Sequence, residues 1–94
     1  ALLSLRQNVP NPFNPATRIE FDLPAGFRGD VALTVYDLLG REVRQLLREV
    51  RSAGTHAVVW RGEDDAGRPV PAGVYLYRLR SAAGEATGKM SLVR

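Results

Sequence analysis

The sequence predicts an all-β fold, an immunoglobulin-like antiparallel β-sandwich of about seven strands. Three observations carry that prediction. Apolar residues recur with period two along most of the chain, the signature of strands with one buried face. Turn-forming clusters of Gly, Pro, Asp, Asn and Ser interrupt these runs every 8–12 residues, the spacing expected of a sandwich. No segment is assigned to a helix.

The stretch Asn8–Pro15 holds Pro10, Pro12 and Pro15, which forbid a helix and most ladder hydrogen bonds and push the preceding residues toward extended conformations. Asn11 and Asn14 suit Asx-turns. Phe13, the apolar anchor of this stretch, is expected to plug into the sandwich edge, so residues 7–16 form a stiff, ordered lead-in. In Thr17–Leu23, Ile19, Phe21 and Leu23 alternate with Arg18, Glu20 and Asp22, the cleanest strand pattern in the chain. Val31, Leu33 and Val35 alternate with Ala32, Thr34 and Tyr36 in the next run. Asp37-Leu38-Leu39-Gly40 follows as a tight reversal, with Asp as a side-chain acceptor and Gly40 where positive φ is needed. The return, Arg41–Arg48, also fits helical spacing through Val43, Leu46, Leu47 and Val50; the tight turn and neighbouring strands favour a strand.

Ser52-Ala53-Gly54 breaks the chain before Thr55–Arg61, where His56, Val58 and Trp60 share a face. Gly62–Gly67 is a polar turn, and Pro69 and Pro71 hold Arg68–Ala72 extended. Gly73–Arg80 places Tyr75, Tyr77 and Leu79 on one face and Val74, Leu76 and Arg78 on the other, as an inner strand requires. After a turn about Gly84, Ala86–Arg94 points Met90 and Leu92 inward. The expected core anchors are Phe21, Val35, Trp60, Tyr75, Tyr77, Leu79, Met90 and Leu92.

Composition narrows the function classes. Ninety-four residues with 45% hydrophobic and 24% charged side chains make one ordinary domain, residues 1–94. No apolar run approaches the ~20 residues of a membrane helix, and Ala1–Leu5 lacks a signal-peptide pattern. The absence of cysteine excludes disulfides, thiol catalysis and cysteine zinc sites. His56, the only histidine, rules out paired-histidine metal sites. The net charge is +3 and twelve of thirteen basic residues are arginine. They alternate with acids, as Arg18 does with Glu20 and Asp22, so the pattern is a solvated mixed-charge surface and gives no nucleic-acid tract.

Chemical candidates are few. Glu63-Asp64-Asp65 is the one acidic cluster; a calcium site is conceivable, but the spacing lacks that of an EF-hand loop, and a turn closed by Gly67 is preferred. Adjacent acids in one turn cannot supply the opposed carboxylates of glycoside hydrolysis. His56 fits a boundary position, and the serines have no activating partner nearby. Tyr36, Tyr75 and Tyr77 could stack on sugars, but Tyr75 and Tyr77 share the Leu79 face and belong to the core. The expectation is therefore no catalytic residue, no cofactor, no metal and no small-molecule substrate.

Five ordered blocks suggest a family. Asn8–Pro24 resembles the opening signature of the carboxy-terminal sorting domains of type IX secretion substrates, shared with immunoglobulin-like domains resembling the flagellar hook-capping protein. Val35-Tyr36-Asp37-Leu38-Leu39-Gly40-Arg41-Glu42-Val43 is similar to their second block. Ser52–His56 with Trp60, Gly62 and Asp64, then Ala72–Leu79, are similar to the third and fourth, and Lys89–Arg94 to the closing block; Arg61 departs from the Asp frequent after the Trp. The resemblance implies a non-catalytic sorting and anchoring module at the carboxy-terminal end of a larger exported protein. Its implied partners are the outer-membrane secretion and attachment machinery and a covalently continuous passenger. Its implied location is the outer-membrane surface or the extracellular space. Candidate recognition residues are Asn11, Pro12, Phe13, Asn14, Pro15, Gly40, Gly73, Tyr75, Lys89 and Arg94. The alternative is a structural or adhesive immunoglobulin-like module, either a hook-capping-like assembly domain, self-associating through edge strands, or a carbohydrate-binding accessory domain.

Because Trp60 is the largest expected core residue, Trp60→Ala should destabilise the domain by about 3–5 kcal/mol, measured as a drop in the denaturant midpoint.

Overall fold

The computed structural model describes residues 3–94, which form five strands and no helix: β1 (Ser4–Leu5), β2 (Thr17–Tyr36), β3 (Glu42–Trp60), β4 (Gly73–Ser81) and β5 (Gly84–Leu92). All strand pairs are antiparallel: β1 with β2, β2 with both β3 and β4, and β4 with β5. The all-β, immunoglobulin-like prediction holds.

The count is five where the sequence suggests about seven because two pairs of segments fuse. Thr17–Leu23 and Val31–Tyr36 are the two halves of β2, and Arg41–Arg48 and Thr55–Arg61 fall in the two halves of β3. The connecting stretches pair with one another, Arg28 with Ser52 and Asp30 with Val50, so the ladder runs on through them. At the register shift, four residues, Pro24–Phe27, stand against Ala53 alone. Excess residues on one strand bend and twist a ribbon, and Pro24, which has no N–H to donate, sits where no ladder bond is required.

This bend gives the two layers. The first half of β2 lies between β1 and the second half of β3, while its second half lies between the first half of β3 and β4, with β5 outside. Ile19, Phe21 and Leu23 from the first layer and Val31, Leu33, Val35, Tyr77, Leu79 and Met90 from the second join one buried cluster. All eight expected core anchors are in it. Trp60 sits at its centre of aromatic contact, with Phe13 at 5.7 Å and Tyr75 edge-on at 5.3 Å between ring centroids. Its indole N–H donates to the Glu63 carbonyl at 2.8 Å, so the largest side chain is buried with its polar atom satisfied.

Tyr77 spans the layers. From β4 its hydroxyl donates to the Arg6 carbonyl at 3.0 Å and accepts from the Asn8 N–H at 3.1 Å. Arg6 precedes the lead-in and Asn8 lies in it, and this stretch pairs with β2 through Arg6 N–H to Glu20 and reciprocal bonds between Val9 and Arg18. The ring can cross because Gly88, its partner on β5, has no side chain; a Cβ there would lie 2.2 Å from Tyr77 Cζ.

Gly88→Ala should therefore displace the Tyr77 ring and destabilise the fold by more than Tyr77→Phe. The latter loses only the hydroxyl bonds, about 1–3 kcal/mol. Equilibrium unfolding of the two variants checks the order.

Candidate recognition surface

The proline-rich lead-in is held against the end of β5, and this seam gathers most of the recognition candidates. Asn8 anchors it. Its side chain is buried, donating to Thr17 Oγ1 at 3.0 Å and to the Pro10 carbonyl at 3.2 Å, while Thr17 Oγ1 donates to that same carbonyl at 2.9 Å. Proline removes donors along this stretch, so side chains supply the hydrogen bonds that a ladder would otherwise make. Beyond the anchor, Asn11 Oδ1 accepts from Ser91 N–H at 2.9 Å. Phe13 then pairs in parallel with Leu92: its N–H reaches the Ser91 carbonyl at 3.0 Å and its carbonyl takes the Val93 N–H at 2.9 Å. The Phe13 ring, 1% exposed, fills the space beside Trp60.

The structure thus brings Asn11, Phe13, Lys89 and Arg94 to one edge. Pro12, Asn14 and Pro15 are exposed beside it. Lys89 faces solvent, and its carbonyl accepts from the Gln7 side chain at 2.9 Å. Arg94 is tied back to the body: Nε donates to the Val70 carbonyl and Nη2 to the Gly62 carbonyl, both at 2.9 Å. Gly62 lies so close beneath that a Cβ would stand 3.0 Å from Arg94 Nη2 and 3.3 Å from the Pro15 carbonyl. Tyr75 is a core residue whose hydroxyl donates to the Pro71 carbonyl, four residues upstream, at 2.5 Å, the geometry of a tyrosine corner. Gly73 opens β4 and pairs with Leu92, on the far side of that residue from Phe13. Gly40 lies elsewhere, in the β2–β3 hairpin.

That hairpin is built by Asp37 and Gly40. Asp37 Oδ1 accepts the Leu39 and Arg41 N–H groups at 2.9 and 3.0 Å, Oδ2 accepts Arg41 Nε at 2.8 Å, and Gly40 turns at φ +84°. The side chains of the two leucines between them take no part in this geometry, and Leu38 and Leu39 stand 65% and 78% exposed. The Arg41 N–H, with the Arg41 guanidinium and the Leu39 N–H behind it, outweighs the desolvation that opposes them and holds the Asp37 carboxyl below its ordinary value.

The acidic turn and the histidine have local explanations. Asp64 Oδ1 accepts the N–H groups of Ala66 and Arg68, each at 2.9 Å, and Gly67 N–H closes onto the Asp64 carbonyl at 2.9 Å. Asp65 Oδ1 accepts Gln45 N–H at 2.9 Å, pinning the turn to the edge of β3. Among the described residues no three acids or histidines converge as cation ligands. His56 stacks on Phe21 at 5.4 Å between centroids, with Nε2 at 2.7 Å from the Ser52 carbonyl.

Two residues that sequence patterning passed over, Asn8 and Thr17, hold the lead-in in place. The available signal was a pair of small polar residues flanking a proline run, at positions where no strand ladder could satisfy the backbone.

Fold and seam together define an immunoglobulin-like β-sandwich closed by an amino-terminal strap. The chain belongs to the FlgD Ig-like domain family, whose model matches residues 10–85. Among solved structures it is similar to dimeric latent PorU from Porphyromonas gingivalis, with TM-score 0.76 and 24% identity over 97% of this chain and 9% of that one. It is also similar to PorZ, an essential surface component of the type-IX secretion system of the same organism, with TM-score 0.62 and 20% identity over 98% of this chain and 11% of that one. A third likeness is to FlgD from Xanthomonas campestris, a hook-capping protein essential for flagellar assembly, with TM-score 0.58 and 24% identity over 96% of this chain and 64% of that one. The chain spans only about a tenth of the length of PorU and PorZ. No curated protein matches it in sequence.

Because the folded-state carboxyl of Asp37 titrates below its ordinary value of 3.8, its contribution is complete above that value and is lost as pH falls below it through the lower folded-state value. Asp37→Ala should lower stability at neutral pH, and the gap from the parent protein should close in acid, followed by unfolding at both pH values.

Proposed function

We propose that this domain is a non-catalytic sorting and anchoring module that directs a larger exported protein across the outer membrane to the cell surface by type IX secretion. The observation that supports it best is the seam. The two sequence blocks with the most specific resemblance to sorting domains, Asn8–Pro15 and Lys89–Arg94, meet there as one ordered edge. Such an edge offers shape, backbone and a solvent-facing Lys89 to a reader, which is the kind of surface that strand-edge recognition uses. The likeness to PorZ agrees with this reading at the level of fold. Its partners under this reading are the outer-membrane secretion and attachment machinery and the passenger to which it is joined.

A second reading is an assembly or adhesive module of the hook-capping kind, favoured by the family match over residues 10–85. The two readings differ in what a fused cargo does. Residues 1–94 joined to a periplasmic reporter should carry the reporter to the surface of a type IX-competent bacterium under the first reading and leave it periplasmic under the second. Deleting Lys89–Arg94 would also remove Met90 and Leu92 from the core, so the informative variants keep the fold. Lys89→Ala and Asn11→Ala, checked for native circular dichroism, should reduce surface display; display untouched by both would sink the assignment of the seam.

A further inference from the structure

The outer face of the second layer carries a charge pattern that the fold does not require and of which the sorting reading uses Lys89 alone. Strand registers place its residues in rows across β3, β2, β4 and β5. One row reads Glu42, Tyr36, Leu76, Lys89, because Tyr36 pairs with both Glu42 and Leu76, and Leu76 with Lys89. Another row, further along the strands, reads Arg48, Ala32, Arg80, Glu85. The alternate residues of these strands, among them Leu33, Val35, Tyr77, Leu79 and Met90, are buried in the core, so both rows face solvent. Each row has opposite charges at its two ends: negative on β3 and positive on β5 in the first, the reverse in the second.

We infer that this face is a self-complementary docking surface for a second copy of the chain. Consider a two-fold axis lying in the contact plane, parallel to the strands, between β2 and β4. It exchanges the β3 side with the β5 side and leaves the rows in place. Glu42 then meets Lys89 of the second copy, Tyr36 meets its Leu76, and Arg48 meets its Glu85, each contact made twice as isologous symmetry demands. A two-fold axis running across the strands midway between the rows would instead bring Glu42 to Arg48 and Lys89 to Glu85 of the second copy, an arrangement in which reversing Glu42 and Lys89 together would not restore association. Among the described residues neither Glu42 nor Lys89 has an ion-pair partner within the chain, so both are available. Glu85 is held by Arg78 and approached by Arg80 in its own copy, which leaves the Arg48 contact the weaker of the two.

The relief of the face agrees with this arrangement. Tyr36 separates two adjoining hollows of about 650 and 470 Å³, the larger between β3, β2 and β4 and the smaller over Leu76 and Ala86. Ala32 lies in the larger hollow, and under the same axis Arg80 of the second copy falls opposite it. Sheets pack face to face about 10 Å apart with interdigitating side chains, and hollows beside long arginines provide for that. Four strands at a spacing of ~4.8 Å make a patch only ~15 Å across, well short of the ~800 Å² per partner of a tight complex. The dimer is accordingly weak and salt-sensitive. This inference stands independently of the sorting role.

Sedimentation equilibrium of the 94-residue chain tests it by charge reversal. The parent chain should show a monomer–dimer equilibrium at low salt that weakens as added salt screens the pairs. Glu42→Lys alone, or Lys89→Glu alone, should weaken association by about tenfold or more, and the double variant should restore it, as a coupled pair requires. Both positions are exposed, so native near-ultraviolet dichroism of Trp60 should persist in all three. A parent chain that remains monomeric at millimolar concentration overturns the inference. So does association that single reversals leave unchanged, which pairing through edge strands would produce, or a double variant that fails to recover.

Discussion

The Tyr77 hydroxyl is the constraint on which the rest of the structure depends. A phenol carried into a core must find partners for its oxygen, and here both come from the backbone of Arg6 and Asn8. Fixing those two residues sets the path of everything that follows them. The Asn8 side chain falls within reach of Thr17 and Pro10, the proline run turns toward β5, and Phe13 arrives beside Trp60. Gly88 completes the arrangement by leaving room for the ring. A hydrogen bond made by one tyrosine thereby couples the first layer, the second layer and the strap, and the aromatic cluster stays dry as a result.

Polar chemistry elsewhere in the molecule is devoted to geometry. Asp37, Asp64 and Asp65 hold backbone N–H groups in turns and at a strand edge. Asp22 receives Thr55 and Arg6 on the outside of the first layer, with the Thr55 hydroxyl the main reason its carboxyl titrates low. These carboxylates are engaged by fixed donors inside the domain.

The period-two pattern was legible because burial on one face only is what alternation records. Ile19, Phe21 and Leu23, or Tyr75, Tyr77 and Leu79, could be assigned to the interior from spacing alone, and Asp37 and Gly40 announced their turn through side-chain chemistry. The fusion of segments into two long strands was not legible. Pro24–Phe27 looks like a loop, and whether the flanks of a loop pair with each other depends on partners far along the chain. The same holds for the seam. The family blocks pointed to Asn11, Phe13 and Lys89, yet nothing local shows that Phe13 pairs in parallel with Leu92, since a single bridge in parallel orientation leaves no periodic trace. Asn8 and Thr17 were hidden for a related reason: a buried polar pair is recognisable only once its hydrogen-bond partners are in place.

The parallel contact between Phe13 and Leu92 also determines how the domain answers to tension. Strands running in the same direction, one leading in from the amino-terminal side and the other leading out toward the carboxyl end, are drawn past each other lengthwise when the chain is stretched from both sides. The bonds from Phe13 to Ser91 and from Val93 to Phe13 then share the load together and cannot be peeled apart in turn. A sandwich closed in this way resists being pulled open along the line that joins its two ends.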